Sequence, residues 1–386
     1  MEQLINQYVK DIQISGIRQF FNMVGQYEDV VSLTIGQPDF YTPDHVKKAA
    51  IQAIQNNHTS YTHNAGILSL RKAIENHVQE NFQLAYDADT EIIVTVGASQ
   101  AIDVSLRTLL TPGDEVILPG PVYPGYEPLI RLAGATPVHV DTRGNQFKLN
   151  AKLIEEKITP KTKAVILPYP SNPTGVSLTG TELKDIASVI EKHQVFVIAD
   201  EIYSELVYEK SHVSIGSFST IRDQVIIING ISKSHAMTGW RIGYILAPAW
   251  LSKHMLKVHQ YNVSCASSIS QYAALEALTN GKEDPSRMKA AYMERKTYVE
   301  ERLTQMGIEY TSPDGAFYIF PKLQIEGKTT FELALQLVKE AGLALVPGDA
   351  FSQYGEGYLR LSYAYSLETL QEGLNRLENF LNINSV

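Results

Sequence analysis

Six short runs of apolar, mostly β-branched residues recur through the middle of the chain, at 92–96, 115–119, 164–167, 195–199, 225–228 and 242–247. Runs without polar alternation suit strands buried on both faces. Between them lie amphipathic stretches with helical spacing, for example 99–110 and 181–193. Strand–helix alternation of this kind predicts an α/β layer built on a mostly parallel sheet, because parallel neighbours need a crossover and the crossover is usually a helix. After about residue 280 the pattern changes. A long charged helical stretch at 284–306 is followed by apolar 316–320, a helix at 330–342, short runs near Leu345 and Leu359, and a final helix. This reads as a second, smaller α+β domain. The first 40 residues contain little strand-like sequence and are expected to pack with it. The expected division is 41–280 for the large domain, with 1–40 and 281–386 forming the small one.

A chain of 386 residues, 44% hydrophobic and 19% charged, can bury a core without covalent staples. The single cysteine, Cys265, excludes an internal disulfide and reads as a small buried residue. The net charge of −9 comes with mixed signs and no basic tract, which argues against a nucleic-acid partner. The N-terminus lacks the basic start and apolar run of a signal peptide, and no stretch has the length of a membrane span. A cytoplasmic protein without a membrane partner is expected, and no metal site.

Four stretches carry candidate chemistry. In GISKSHAMTGWRIG (230–243) a lysine, Lys233, follows a β run and so falls at the carboxyl end of a strand, where open α/β sheets bind ligands. Alone, such a lysine is an ordinary surface residue. Arg241, between Gly239 and Gly243, changes that reading, because a cation at a sharp turn beside a lysine suits an anionic group. In VFVIADEIYSEL (195–206) a strand runs into Asp200 and Tyr203; the plain alternative is a carboxylate that caps a helix or pairs with a base. LPYPSNPTGV (167–176) is a turn around Asn172. In VTVGASQAI (94–102) a strand ends at Gly97 and a helix starts near Ser99, leaving free N–H groups that can hold phosphate.

The lysine stretch resembles the signature of the class I/II aminotransferases, which are fold type I enzymes dependent on pyridoxal 5′-phosphate (PLP). The other motifs follow in the order of that family, and the resemblance covers nearly the whole chain. It implies a seven-stranded, mostly parallel sheet in the large domain. It assigns Lys233 to the covalent Schiff-base link with the cofactor and Arg241, Ala98 and Ser99 to its phosphate, with Ser232 and Ser234 as further hydroxyl partners. Some relatives carry serine where Gly230 stands here. Asp200 takes the position that keeps the pyridine nitrogen protonated. Tyr203 and Asn172 take those that face the ring hydroxyl, and Tyr123, in PGPVYPGYE, the one that stacks on the ring.

Three further segments resemble substrate contacts. SLTIGQPDF (32–40) places the Gly36 backbone, and GYLRLSYA (357–364) places Arg360, at the substrate carboxylate, with Asn172 beside them. ISGIRQF offers Ile17 as an apolar gate and Arg18 for an acidic distal group. Tyr61, in TSYTHNAGILSLRKAI, matches the tyrosine that reaches the phosphate of the neighbouring subunit, which implies a homodimer with shared sites. The likeness is to the aminotransferase A group, which includes N-acetyl-LL-diaminopimelate aminotransferases. It implies an amino-acid donor and a 2-oxoacid acceptor, 2-oxoglutarate being usual, in a ping-pong reaction serving lysine biosynthesis. Aromatic and aspartate aminotransferases share the core motifs, and a PLP-dependent β-elimination lyase is not separated by them. A non-catalytic PLP-binding regulator lacks the basic segment it would need, and a Rossmann dehydrogenase lacks its G-x-G-x-x-G.

Overall fold

The computed structural model describes residues 1–13 and 16–384. Its strands, in chain order, are β1 (Val31–Ser32), β2 (Ile92–Thr95), β3 (Glu115–Gly120), β4 (Thr136–Asp141), β5 (Thr162–Leu167), β6 (Phe196–Asp200), β7 (Val225–Gly230), β8 (Gly243–Leu246), β9 (Tyr318–Ile319), β10 (Leu343–Ala344), β11 (Val346–Pro347) and β12 (Leu359–Ser362). Seven of them form one sheet in the order β2-β8-β7-β6-β5-β3-β4. All pairings are parallel except the two made by β8. All six runs seen in the sequence are strands of this sheet, with ends moved by one or two residues. The seventh, β4, is an edge strand. It is only partly buried and carries Pro137 and His139, so it lacks the continuous apolar run that marks its neighbours.

Successive strand residues feed opposite faces. Ile92, Ile117, Val165, Val197 and Ile227 pack on one side with the helices Leu68–Phe82, Gly180–Lys192 and Ser268–Thr279. Ile93, Leu118, Ile166, Ile198 and Ile228 pack on the other with Gly97–Leu109 and Ala249–Val263. Burial on both faces is what removes alternation from these strands.

A separate apolar cluster holds Phe20 and Leu33 together with residues from Met288 to Leu381. Within it β11, β12 and β9 form a three-stranded antiparallel sheet, and β1 pairs in parallel with β10. The charged stretch near residue 284 is the helix Asp284–Gln305. The expected helix at 330–342 is α-helical only over Thr330–Gln336; Leu337–Ala341 opens into a π turn before Gly342 takes the left-handed conformation. Cys265 is half-buried, because it lies in the turn after the helix Ala249–Val263, where Ser264 already has φ +65°. No helix among the described residues is long and apolar enough to cross a membrane.

Candidate active site

The sheet topology decides where the chemistry-bearing residues meet. Because β2, β3, β5, β6 and β7 all run the same way, their carboxyl ends share one edge. Residues that follow them, near 97, 123, 172, 200 and 233, therefore converge. Since β8 is antiparallel, its start at Gly243 sits opposite both Thr95 and Gly230, which brings Arg241 to the same edge. The result is a cleft of about 430 Å³ whose lining includes Gly36, Ala98, Ser99, Tyr123, Asn172, Asp200, Tyr203, Ser232, Lys233, Arg241 and Arg360, with Ile17 and Phe21 also on its wall.

Lys233, just beyond β7, reaches into this cleft. Its Nζ donates to the Gly36 carbonyl at 2.6 Å. Burial first, and then the charges of Arg360 and Arg241, lower its pKa from 10.5 to about 8, while Asp200 opposes them. Asp200 is buried. Tyr126 Oη donates to its Oδ2 at 2.7 Å and the Ile202 N–H to its Oδ1 at 3.2 Å. Burial raises its pKa, and those two hydrogen bonds pull the other way.

Arg241 and the helix Gly97–Leu109 form a second subsite. A Cβ at Gly97 would collide with the Arg241 guanidinium, so the glycine, at φ +75°, lets the cation sit against the helix N-terminus. Free N–H groups and a guanidinium together make a cradle for an anion. The helix begins at Gly97, two residues before the position read from the sequence, because the left-handed glycine already turns the chain. Arg360 forms a third subsite. Its Nη1 donates to Asn172 Oδ1 at 3.0 Å and its Nη2 to the Thr34 carbonyl at 2.5 Å. Its Nε is buried with no protein partner, and its Cζ lies 4.5 Å from the centre of the Tyr318 ring.

Not every expected residue joins the cleft. Ser234 is buried away from it and shares a hydrogen bond with His235 Nδ1 at 2.8 Å. The serine seen at position 230 in some relatives is excluded here, because a Cβ at Gly230 would press on the backbone of Ile242 and Gly243. Arg18 is exposed, next to the wall residue Ile17, and is not itself among the lining residues. Tyr61 is 88% exposed and does not line this cleft. Two residues were missed. Tyr126 lies in the motif that contains Tyr123, but its partner is 74 positions away. Tyr318 hydrogen-bonds Tyr203 at 2.9 Å across 115 positions, and no local pattern marks it.

A family model described as aminotransferase class I and II matches residues 28–377. The chain belongs to that family. It is therefore a transaminase, of a family that depends in general on PLP. It is 59% identical to a Bacillus subtilis (strain 168) protein named probable N-acetyl-LL-diaminopimelate aminotransferase, over 99% of this chain and 96% of the relative. It is 40% identical to an aspartate aminotransferase of Pyrococcus abyssi, over 95% of each chain. Among solved structures, an aromatic aminotransferase from Pyrococcus horikoshii superposes with a TM-score of 0.90 at 39% identity, covering 95% of this chain and 99% of that one. This transaminase thus has the fold type I architecture, with the cleft at its strand ends.

Proposed function

We propose that the cleft binds PLP and moves an α-amino group from N-acetyl-LL-diaminopimelate to 2-oxoglutarate by a ping-pong reaction. The residues present fit the cofactor. The cation–helix cradle of Arg241, Ala98 and Ser99, with the Ser232 hydroxyl, suits its phosphate. Tyr123 offers a ring face, Asp200 a buried carboxylate for the pyridine nitrogen, and Tyr203 and Asn172 polar groups for the ring oxygen. Lys233 holds the cofactor covalently. When bound, PLP supplies an electron sink for the pair left on the substrate α-carbon.

The chain's own groups do the rest. Arg360, with an N–H that has no protein partner, takes the substrate α-carboxylate together with Asn172 and the Gly36 backbone. The Lys233 Nζ, when free of the cofactor, would hold and move a proton at the substrate α-carbon. Burial and the charges of Arg360 and Arg241 lower its pKa in the cofactor-free chain, which favours the neutral amine that can accept that proton. Asp200, oriented by Tyr126, would meet the pyridine nitrogen as a carboxylate.

The observation that carries the donor is the 59% identity over 99% of the chain with the probable N-acetyl-LL-diaminopimelate enzyme. The apolar wall of Ile17 and Phe21 fits a long donor chain. The reading includes a homodimer, with the partner subunit's Tyr61 completing the phosphate site, and a small domain made of 1–40 and 281–386. The test is kcat/KM for the acylated diaminopimelate beside phenylalanine, tyrosine and aspartate, with 2-oxoglutarate as acceptor. A fitted, hydrogen-bonded donor can lead by roughly 10⁴-fold. A lead of that order for phenylalanine or tyrosine would make this an aromatic aminotransferase.

A further inference from the structure

The structure assigns a positioning role to Tyr318: its hydroxyl donates to Tyr203 Oη and so leaves the Tyr203 proton free to point into the cleft, at the cofactor ring oxygen. This rests on the PLP reading above. The two phenol oxygens are 2.9 Å apart and both residues are buried. A pair of hydroxyls this close shares one proton in the bond between them. If Tyr203 donated to Tyr318, it would have no proton left for the cleft. If Tyr318 donates, Tyr203 keeps its own.

The placement of the neighbouring cations favours the second arrangement. The Arg360 guanidinium lies 4.5 Å from the centre of the Tyr318 ring, nearer than the Lys233 ammonium lies to the Tyr203 ring at 5.7 Å, and the nearer cation makes the Tyr318 O–H the stronger donor of the two. The same stacking, with Phe317 tilted against the ring at 4.7 Å, leaves the Tyr318 side chain little freedom. Register adds to this. Tyr318 is held opposite Ser362 in the β9–β12 pair, and Arg360 lies two residues before Ser362 on the same strand. One strand pair thus places the carboxylate-binding arginine and the donor to Tyr203 together.

A hydrogen bond donated to the ring oxygen stabilises negative charge on it. That makes the proton on the lysine–cofactor linkage easier to lose, so the linkage titrates at lower pH. Removing the Tyr318 hydroxyl lets Tyr203 turn away, and the proton is held more tightly. The experiment is a spectrophotometric pH titration of the holoenzyme, following the visible absorbance of the linkage, for wild type, Tyr318→Phe, Tyr203→Phe and the double variant. Tyr318→Phe is expected to raise the titration midpoint by roughly half a unit to one unit, the span of one neutral hydrogen bond. Cofactor affinity, measured by titrating cofactor-free protein with PLP, is expected to fall on the order of threefold to tenfold. In the Tyr203→Phe background the same change is expected to do almost nothing, because the proton it aims is gone.

A midpoint that stays at the wild-type value in Tyr318→Phe overturns the proposal, as does an equal shift in both backgrounds. The second outcome would mean a structural effect independent of Tyr203. Failure of the cofactor reading is distinguishable, because a wild-type protein that shows no linkage absorbance with PLP sinks that reading before any variant is compared.

Discussion

Lys233 is held among groups that oppose its charge. Arg360 and Arg241 are both cationic, the site is buried, and only Asp200 compensates. A lysine whose pKa falls from 10.5 in an unfolded chain to about 8 in the folded one binds fewer protons when folded across that interval. Stability therefore rises with pH between about 8 and 10.5 as the penalty of the buried cation is relieved. Below pH 8 the penalty is present in full. In the cofactor-free protein, Lys233→Met should raise the melting temperature at pH 7, and the gap over wild type should shrink steadily as the pH is taken past 8. Thermal melts at a series of pH values measure this. A gap that stays constant from pH 7 to 10.5 would show that the amine is not penalised by its surroundings.

The helix start beside Arg241 depends on glycine at one position. Gly97 has φ +75°, and any side chain there meets Arg241. Gly97→Ala should cost about 1–2 kcal/mol from the left-handed backbone and also displace the guanidinium. Losing a charged contact corresponds to roughly tenfold to a hundredfold weaker PLP binding. Gly113→Ala is the control, since Gly113 also has positive φ but no atom within 4 Å of its Cβ position. It should cost stability alone. Titration of the cofactor-free variants separates the two, and equal affinities for them would contradict the cradle.

What could be read beforehand follows the same physics. The central strands were legible because each is buried on both faces, and the residues just beyond them could be placed at one sheet edge. Strand β4 was not, since an edge strand keeps polar residues and a proline. Lys233, Asp200, Asn172 and Arg241 could be read because each sits within a local motif. Tyr126 and Tyr318 could not, because their roles come from partners 74 and 115 residues away.

At the scale of the whole molecule, Tyr61 is exposed and does not line the cleft of its own chain. In the proposed dimer each site takes Lys233 from one chain and Tyr61 from the other. Mixing a Tyr61→Ala protein with a Lys233→Ala protein and allowing subunits to exchange should restore activity, because both lesions fall in one pocket of the hybrid and the other pocket is intact. Isolated heterodimers without recovered activity would exclude sharing through Tyr61.

PLP carried on Lys233 at the carboxyl edge of the sheet underlies the proposed reaction. This linkage is tested most directly by reducing the PLP-loaded protein with borohydride, digesting it and locating the modified residue by mass spectrometry. One pyridoxyl adduct per chain is expected, on Lys233. An adduct on any other lysine, or none in a protein that still transaminates, would contradict it.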